Sequence, residues 1–185
     1  MSSSVIALDT GGLREQLGSL RAGDRVSLSG TVYTARDAAH KMLFQLLDEG
    51  APLPFPLKDA VIYYAGPTPA KPGMAVGSCG PTTSGRMDPY APRLLSLGLA
   101  AMIGKGERSE AVAEAIREYG AAYFCAVGGA GALIARHIRS AEEIAFPALG
   151  CESVKRMQVD CLPLIVAIDC NGGNLFQTGR KQWAK

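Results

Sequence analysis

Gly77-Ser-Cys-Gly-Pro-Thr-Thr-Ser-Gly-Arg-Met-Asp-Pro-Tyr90 decides how this chain reads. It follows a short apolar run, Met74 to Val76, which predicts the end of a strand. Its three glycines and two prolines break regular structure. Between the breakers stand three hydroxyls, Thr82, Thr83 and Ser84, and then a fixed cation, Arg86. A helix is expected next, with Ser84 or Asp88 as its cap and Pro89 in its first turn. A strand, a glycine-rich turn and a helix start together make an anion site, because backbone N–H groups, hydroxyls and the positive helix end point one way. Arg86 adds a planar fork that grips a carboxylate or phosphate at two points. The bland alternative is a tight turn whose hydroxyls do no more than cap a helix.

The flanks alternate strand and helix. Upstream, Ala60 to Ala65 is a short β-rich run between two proline-rich connections, 51–59 and 66–73. Thr34 to Asp48 is the clearest helix. Thr34 is its expected cap, Ala39, Met42, Leu43, Leu46 and Leu47 form its apolar stripe, and Arg36 and Asp37 lie in its first turn. His40 falls one turn after Arg36 on the same face. A cation in the first turn opposes the helix dipole and is compensated if it meets an anion; pairing with Asp37 or another surface acid is the plainer account. Asp24 to Tyr33 alternates as a strand that bends at Gly30. Residues 1–24 begin polar, with a turn or two of helix over 13–20.

Downstream, Leu94 to Gly104 ends a helix near Gly98 and opens a strand running into Lys105-Gly106. A lysine between two glycines is a cation held where backbone approaches a ligand closely; a solvated turn lysine is the commoner case. Ser109 to Tyr119 is an amphipathic helix stopped by Gly120, with Ala111, Val112, Ala115, Ile116 and Tyr119 inward. The run 121–127 is apolar. Gly128-Gly-Ala-Gly131 opens a helix to Ile138; it lacks the full dinucleotide fingerprint, and close packing explains its glycines as well. Two strands are expected over 152–159 and 162–169, then a turn and a polar tail to Lys185. Alternation of this kind predicts one α/β domain over 1–185.

Composition narrows the function. Of 185 residues 48% are hydrophobic, which allows a buried core, and the net charge of +2 argues against a nucleic-acid reader. No apolar run approaches a membrane span, and the start lacks the pattern of a signal peptide. Five cysteines, Cys79, Cys125, Cys151, Cys161 and Cys170, with no Cys-x-x-Cys pair and two histidines, predict free thiols in a reducing, cytoplasmic setting and no metal site made by this chain. Cys125 and Cys170 read as small core residues at strand ends. His137 reads as a surface or packing residue.

Gly-Pro-Thr-Thr-Ser-Gly-Arg-Met-Asp resembles the signature of the β-type domain of class I fumarases and the related L-tartrate dehydratases. The likeness extends through Ser29-Gly-Thr-Val-Tyr-Thr-Ala-Arg-Asp-Ala-Ala-His40, Tyr63-Tyr-Ala-Gly-Pro-Thr-Pro-Ala-Lys-Pro-Gly73, Ile103-Gly-Lys-Gly106, Val127-Gly-Gly-Ala130 and Pro163-Leu-Ile-Val-Ala-Ile-Asp169. It implies a swivelling β/β/α domain, similar to the mobile domain of aconitases. It implies reversible hydration of fumarate to L-malate by an enzyme whose 4Fe-4S cluster sits on an α subunit, with two of each chain. The present chain would be the β subunit, inactive alone. By the same resemblance Arg36, Arg86 and Lys105 hold substrate carboxylates, Thr83 adds a hydroxyl, and Thr82 is the base for the C3 proton. Thr83 and His40 remain rivals for that base. Gly85 before the arginine and Met87-Asp88 after it resemble the fumarase version more than the tartrate version. A non-catalytic dicarboxylate-binding module is the alternative from another class.

Overall fold

Short β-branched and aromatic runs between glycine and proline breakers become strands because they fit a pleated, buried surface. The structure, a computed structural model, describes residues 4–183; Met1 to Ser3 of the polar start and the last two residues of the polar tail lie outside it. The strands are β1 (Ile6–Asp9), β2 (Arg25–Thr34), β3 (Val61–Tyr63), β4 (Ala101–Gly104), β5 (Ala122–Cys125), β6 (Ile138–Ala145) and β7 (Val154–Ile168). The helices are α1 (Leu13–Gln16), α2 (Asp37–Asp48), α3 (Ala91–Ser96), α4 (Glu110–Glu118), α5 (Gly131–Ala135) and α6 (Leu175–Trp183). No helix among the described residues is long and apolar enough to cross a membrane.

All seven strands join one sheet in the order β1-β2-β3-β4-β5-β7-β6, and β2 also pairs with β7. That extra pairing closes β2, β3, β4, β5 and β7 into a ring. The first five strands are parallel to their neighbours; β7 runs antiparallel to β2, β5 and β6. Closure leaves β1 and β6 as edges. The mixed α/β class read from alternation is therefore correct, and the closed ring is what periodicity could not supply.

Alternate residues of each ring strand divide between two cores. Val61, Tyr63, Ala101, Ile103 and Phe124 enter the first, with Leu28, Val32 and Val166. Ile62, Met102 and Tyr123 enter the second, where they meet Leu43 of α2, Leu94 of α3 and Ile116 of α4. The helix faces are narrower than their apolar sequence suggests: Met42, Ala111 and Tyr119 are exposed.

Several local readings change. The bend at Gly30 is real: its φ is +107°, and the β2–β7 register shifts between Leu28 and Gly30. The two strands expected over 152–169 are one. Cys161 lies inside β7 at φ +51°, and the extra residue on β7 opposite this step is taken up as a bulge, so the strand continues. Helix formation after Gly131 lasts five residues, and β6 follows at once. β6 was not foreseen; its outward charges, Arg139, Glu142 and Glu143, suit an edge strand that must not pair further. β1 and α6 were also missed.

Candidate functional site

Arg36 follows β2, Gly66 follows β3, Lys105 follows β4 and Gly128 follows β5, so the carboxyl ends of four adjacent parallel strands converge. Ligands of parallel sheets gather at that end, where loops are free to vary above a fixed scaffold. The central motif crosses these ends. No strand precedes it; residues 74–76 are irregular. Instead Pro81 bridges to Ala65 and Thr83 to Lys105. The Thr82 amide donates to the Tyr64 carbonyl at 2.7 Å, the Ser84 amide to Lys105 at 2.9 Å, and the Lys105 amide to Thr82 at 3.3 Å. Two amides that could have received an anion are thus committed to β3 and β4. The helix starts later than the sequence suggests, at Ala91 with Pro92 in its first turn, after a single 3-10 turn over Ser84–Met87. Asp88 does not cap the helix; it closes the 3-10 turn through its amide, and its carboxylate accepts from Arg108 and from the Ser109 amide. The motif grips by side chains rather than by a helix end.

Close packing bears on two glycines here. A Cβ on Gly104 would collide with the buried Ser84 hydroxyl, and one on Gly66 would lie 2.8 Å from Arg36 Nη1. Among the glycines at 128–131, Gly131 is tightly packed, whereas a Cβ on Gly129 would meet open space. Gly131 packs on Ser78 and Gly80 and accepts the Cys79 amide at 3.0 Å, so the packing explanation holds for that residue.

Arg36 stands at the α2 cap position, and Thr34 does not cap: its hydroxyl accepts from the Lys155 amide as the last residue of β2. Glu152 supplies what Thr34 does not. Its carboxylate accepts from the Ala38 amide at 3.1 Å and pairs with Arg36 at 3.4 Å. The plainer account of Arg36 therefore holds in part, with Glu152 as the acid, while Asp37 pairs instead with Arg86 at 2.9 Å. Lys105 forms no ion pair among the described residues. Thr82 is half-buried and Thr83 exposed, and neither hydroxyl has a hydrogen bond among the described residues. The sequence reading missed Glu152, which it placed in a strand.

His40 is fully buried. Its Nδ1 sits 2.9 Å from the Arg36 carbonyl, which can only accept, so Nδ1 carries the proton. Burial drives its pKa down to about 4 against the Arg36 hydrogen bond. It is a neutral packing residue between Tyr64 and Tyr90, poorly placed as the rival base. Because the folded pKa lies below the unfolded value of about 6.5, its contribution to stability is complete above pH 6.5. That contribution is lost as pH falls toward 4, about 3 kcal/mol in all. Urea unfolding at pH 7.5 and pH 4.5 should show a smaller loss for His40→Phe than for the parent; equal losses would remove His40 from this role.

Among the described residues no three His, Cys, Asp or Glu side chains group to hold a metal ion. Cys79 is buried and its thiol is pushed up to about 12, while burial also raises Cys125. Cys125 and Cys170 are half-buried, and Cys79 is the core cysteine. His137 is half-buried with Nδ1 3.0 Å from the Asp160 carbonyl.

The sequence profile of the family described as Fumarase C-terminus matches residues 2–179. Fumarate hydratase 2 of Leishmania major is 39% identical over 166 residues, covering 89% of this chain and 29% of the relative. The aerobic class I fumarate hydratase of Escherichia coli (strain K12) is 40% identical over 164 residues, covering 88% and 30%. A putative L(+)-tartrate dehydratase subunit beta of Methanocaldococcus jannaschii is 36% identical over 169 residues, covering 88% and 87%. The chain thus spans less than a third of these two fumarate hydratases but most of the subunit.

Proposed function

The chain belongs to the Fumarase C-terminus family, and from that premise we propose that it is the beta subunit of a class I fumarate hydratase, paired with a separate alpha subunit. The gathering of Arg36, Arg86, Lys105 and Thr82 at one end of the parallel strands carries this reading. In it the 4Fe-4S cluster belongs to the alpha subunit, and no step through it is assigned to residues of this chain. The domain works as a swivelling β/β/α unit in the cytoplasm, two copies with two alpha subunits, and the site lies between the chains.

Fumarate is a small dianion. Arg86 and Lys105 grip its carboxylates with Arg36, and Thr83 adds a hydroxyl. The same cations stabilise the charge that grows on an enolate-like species when the C3 proton of L-malate leaves. Thr82 takes that proton. A free hydroxyl is far too weak an acid to act alone at neutral pH, so its activation depends on the local positive field. Glu152 and Asp37 now offset part of that field; of the three cations, Lys105 is uncompensated among the described residues.

L-tartrate dehydration is the second reading, favoured by the near full-length match to the Methanocaldococcus jannaschii subunit. Co-purification, light scattering, iron analysis and parallel assays with fumarate and L-tartrate test both. The isolated chain should hold no cluster and turn over neither substrate, and the complex should hydrate fumarate. Stoichiometric iron with turnover in the isolated chain would overturn the two-subunit reading. Faster turnover of L-tartrate would select the second one. Dicarboxylate binding with no turnover in any complex would leave a binding module.

A further inference from the structure

Arg108 is the one arginine among the described residues whose side chain is wholly buried in an ion pair; its Nε meets Asp88 Oδ1 at 2.6 Å. Its guanidinium lies between the rings of Tyr64 and Tyr123, at 5.4 and 5.0 Å. The second Asp88 oxygen accepts from the Ser109 amide at 2.6 Å. The Tyr123 hydroxyl is bonded to the Gly106 carbonyl at 2.8 Å and to the Ser84 hydroxyl at 2.9 Å.

Burying a charge pair is costly, and an apolar replacement of similar size is often at least as stable. This pair is not arranged for stability alone. Arg108 Nη1 finds only the Met102 sulfur, and Arg108 Nη2 and the Tyr64 hydroxyl have no partner. What the cluster does achieve is local. Asp88 stands two residues after Arg86, and Arg108 three after Lys105. The two bonds of Asp88 therefore join the segment that carries Thr82 and Arg86 directly to the segment that carries Lys105, and Tyr123 joins them a second time by bonding to Ser84 on one and Gly106 on the other.

We propose that Asp88, Arg108 and Tyr123 are positioning residues that fix Thr82, Arg86 and Lys105 relative to one another. The proposal deepens the hydratase reading and rests on it for its catalytic consequence. Backbone bridges between Thr83 and Lys105 align the two segments. On this proposal the Asp88–Arg108 pair, at the far end of the 3-10 turn, keeps the turn from pivoting about that bridge. In some proteins a single buried polar pair sets register at a cost in stability.

The test uses the full protein purified with its accompanying subunit, and the double variant Asp88→Asn with Arg108→Met, which removes both charges together. Its thermal midpoint should stay near that of the parent. Hydrogen exchange of peptides covering 81–87 should quicken about tenfold or more while peptides of β5 stay unchanged. Fumarate kcat should fall about tenfold, with a smaller rise in KM, because a misplaced base costs rate before affinity. Arg108→Lys, which keeps the charge, should recover part of both. Unchanged exchange over 81–87, or unchanged kcat with quickened exchange, would overturn the proposal. If the double variant does not fold, Tyr123→Phe and Arg108→Lys decide by the same exchange measurement. If the parent complex does not hydrate fumarate, the hydratase reading fails, while exchange still decides whether the clamp exists.

Discussion

Thr82→Ala is expected to lower fumarate turnover by about 10²- to 10⁴-fold, the usual worth of a positioned proton acceptor, while substrate affinity stays nearly intact. A base acts only in the transition state, so its loss appears in kcat. The fold should tolerate the change, because the main-chain bonds of Thr82 to Tyr64 and Lys105 do not involve its hydroxyl. Exchange of the C3 proton of L-malate with solvent deuterium isolates the proton step. Exchange at the parent rate in the variant would exclude Thr82. Thr83, exposed on the same bridge, would then be the next hydroxyl to test; His40, neutral and enclosed, would not.

Arg86→Lys should act mainly on binding. Arg86 is held at 2.9 Å by Asp37, with about half of its side chain exposed, so its fork is oriented before substrate arrives. An ammonium cannot reproduce a two-point grip on a carboxylate. Once substrate covers the site, losing such a contact costs about 2 to 5 kcal/mol, thirtyfold or more in affinity. The rise should appear in KM with kcat less affected. Asp37→Asn is the control. If Asp37 stands in for a substrate carboxylate, freeing Arg86 should lower KM or leave it unchanged. A KM that rises in Asp37→Asn as much as in Arg86→Lys would mean that the pair acts as one structural unit.

Local sequence carried much of the site. A glycine-rich run holding hydroxyls and Arg86, a lysine between two glycines at a strand end, and Arg36 beside a helix start each have a physical meaning within a few residues. The same holds for strands β3 to β5, whose continuous apolar runs report burial on both faces, and helices α2 and α4, whose apolar spacing reports one buried face. The resemblance supplied their roles, which spacing alone did not.

Other features depend on residues far apart in the chain, and no window of sequence contains them. Glu152 caps α2 and pairs with Arg36 across the fold. Asp37 takes Arg86, Asp88 takes Arg108, and β2 finds β7 to close the ring. The motif's amides are spent on Tyr64 and Lys105 because the run lies across two strand ends. The sequence by itself determined which chemistry is present and which segments become strand or helix, since hydrophobic period and turn residues act over a few positions. Only the tertiary structure decided which charges are already matched. Ion pairing and burial depend on through-space distance and on exclusion of water, and both are set when the ring closes.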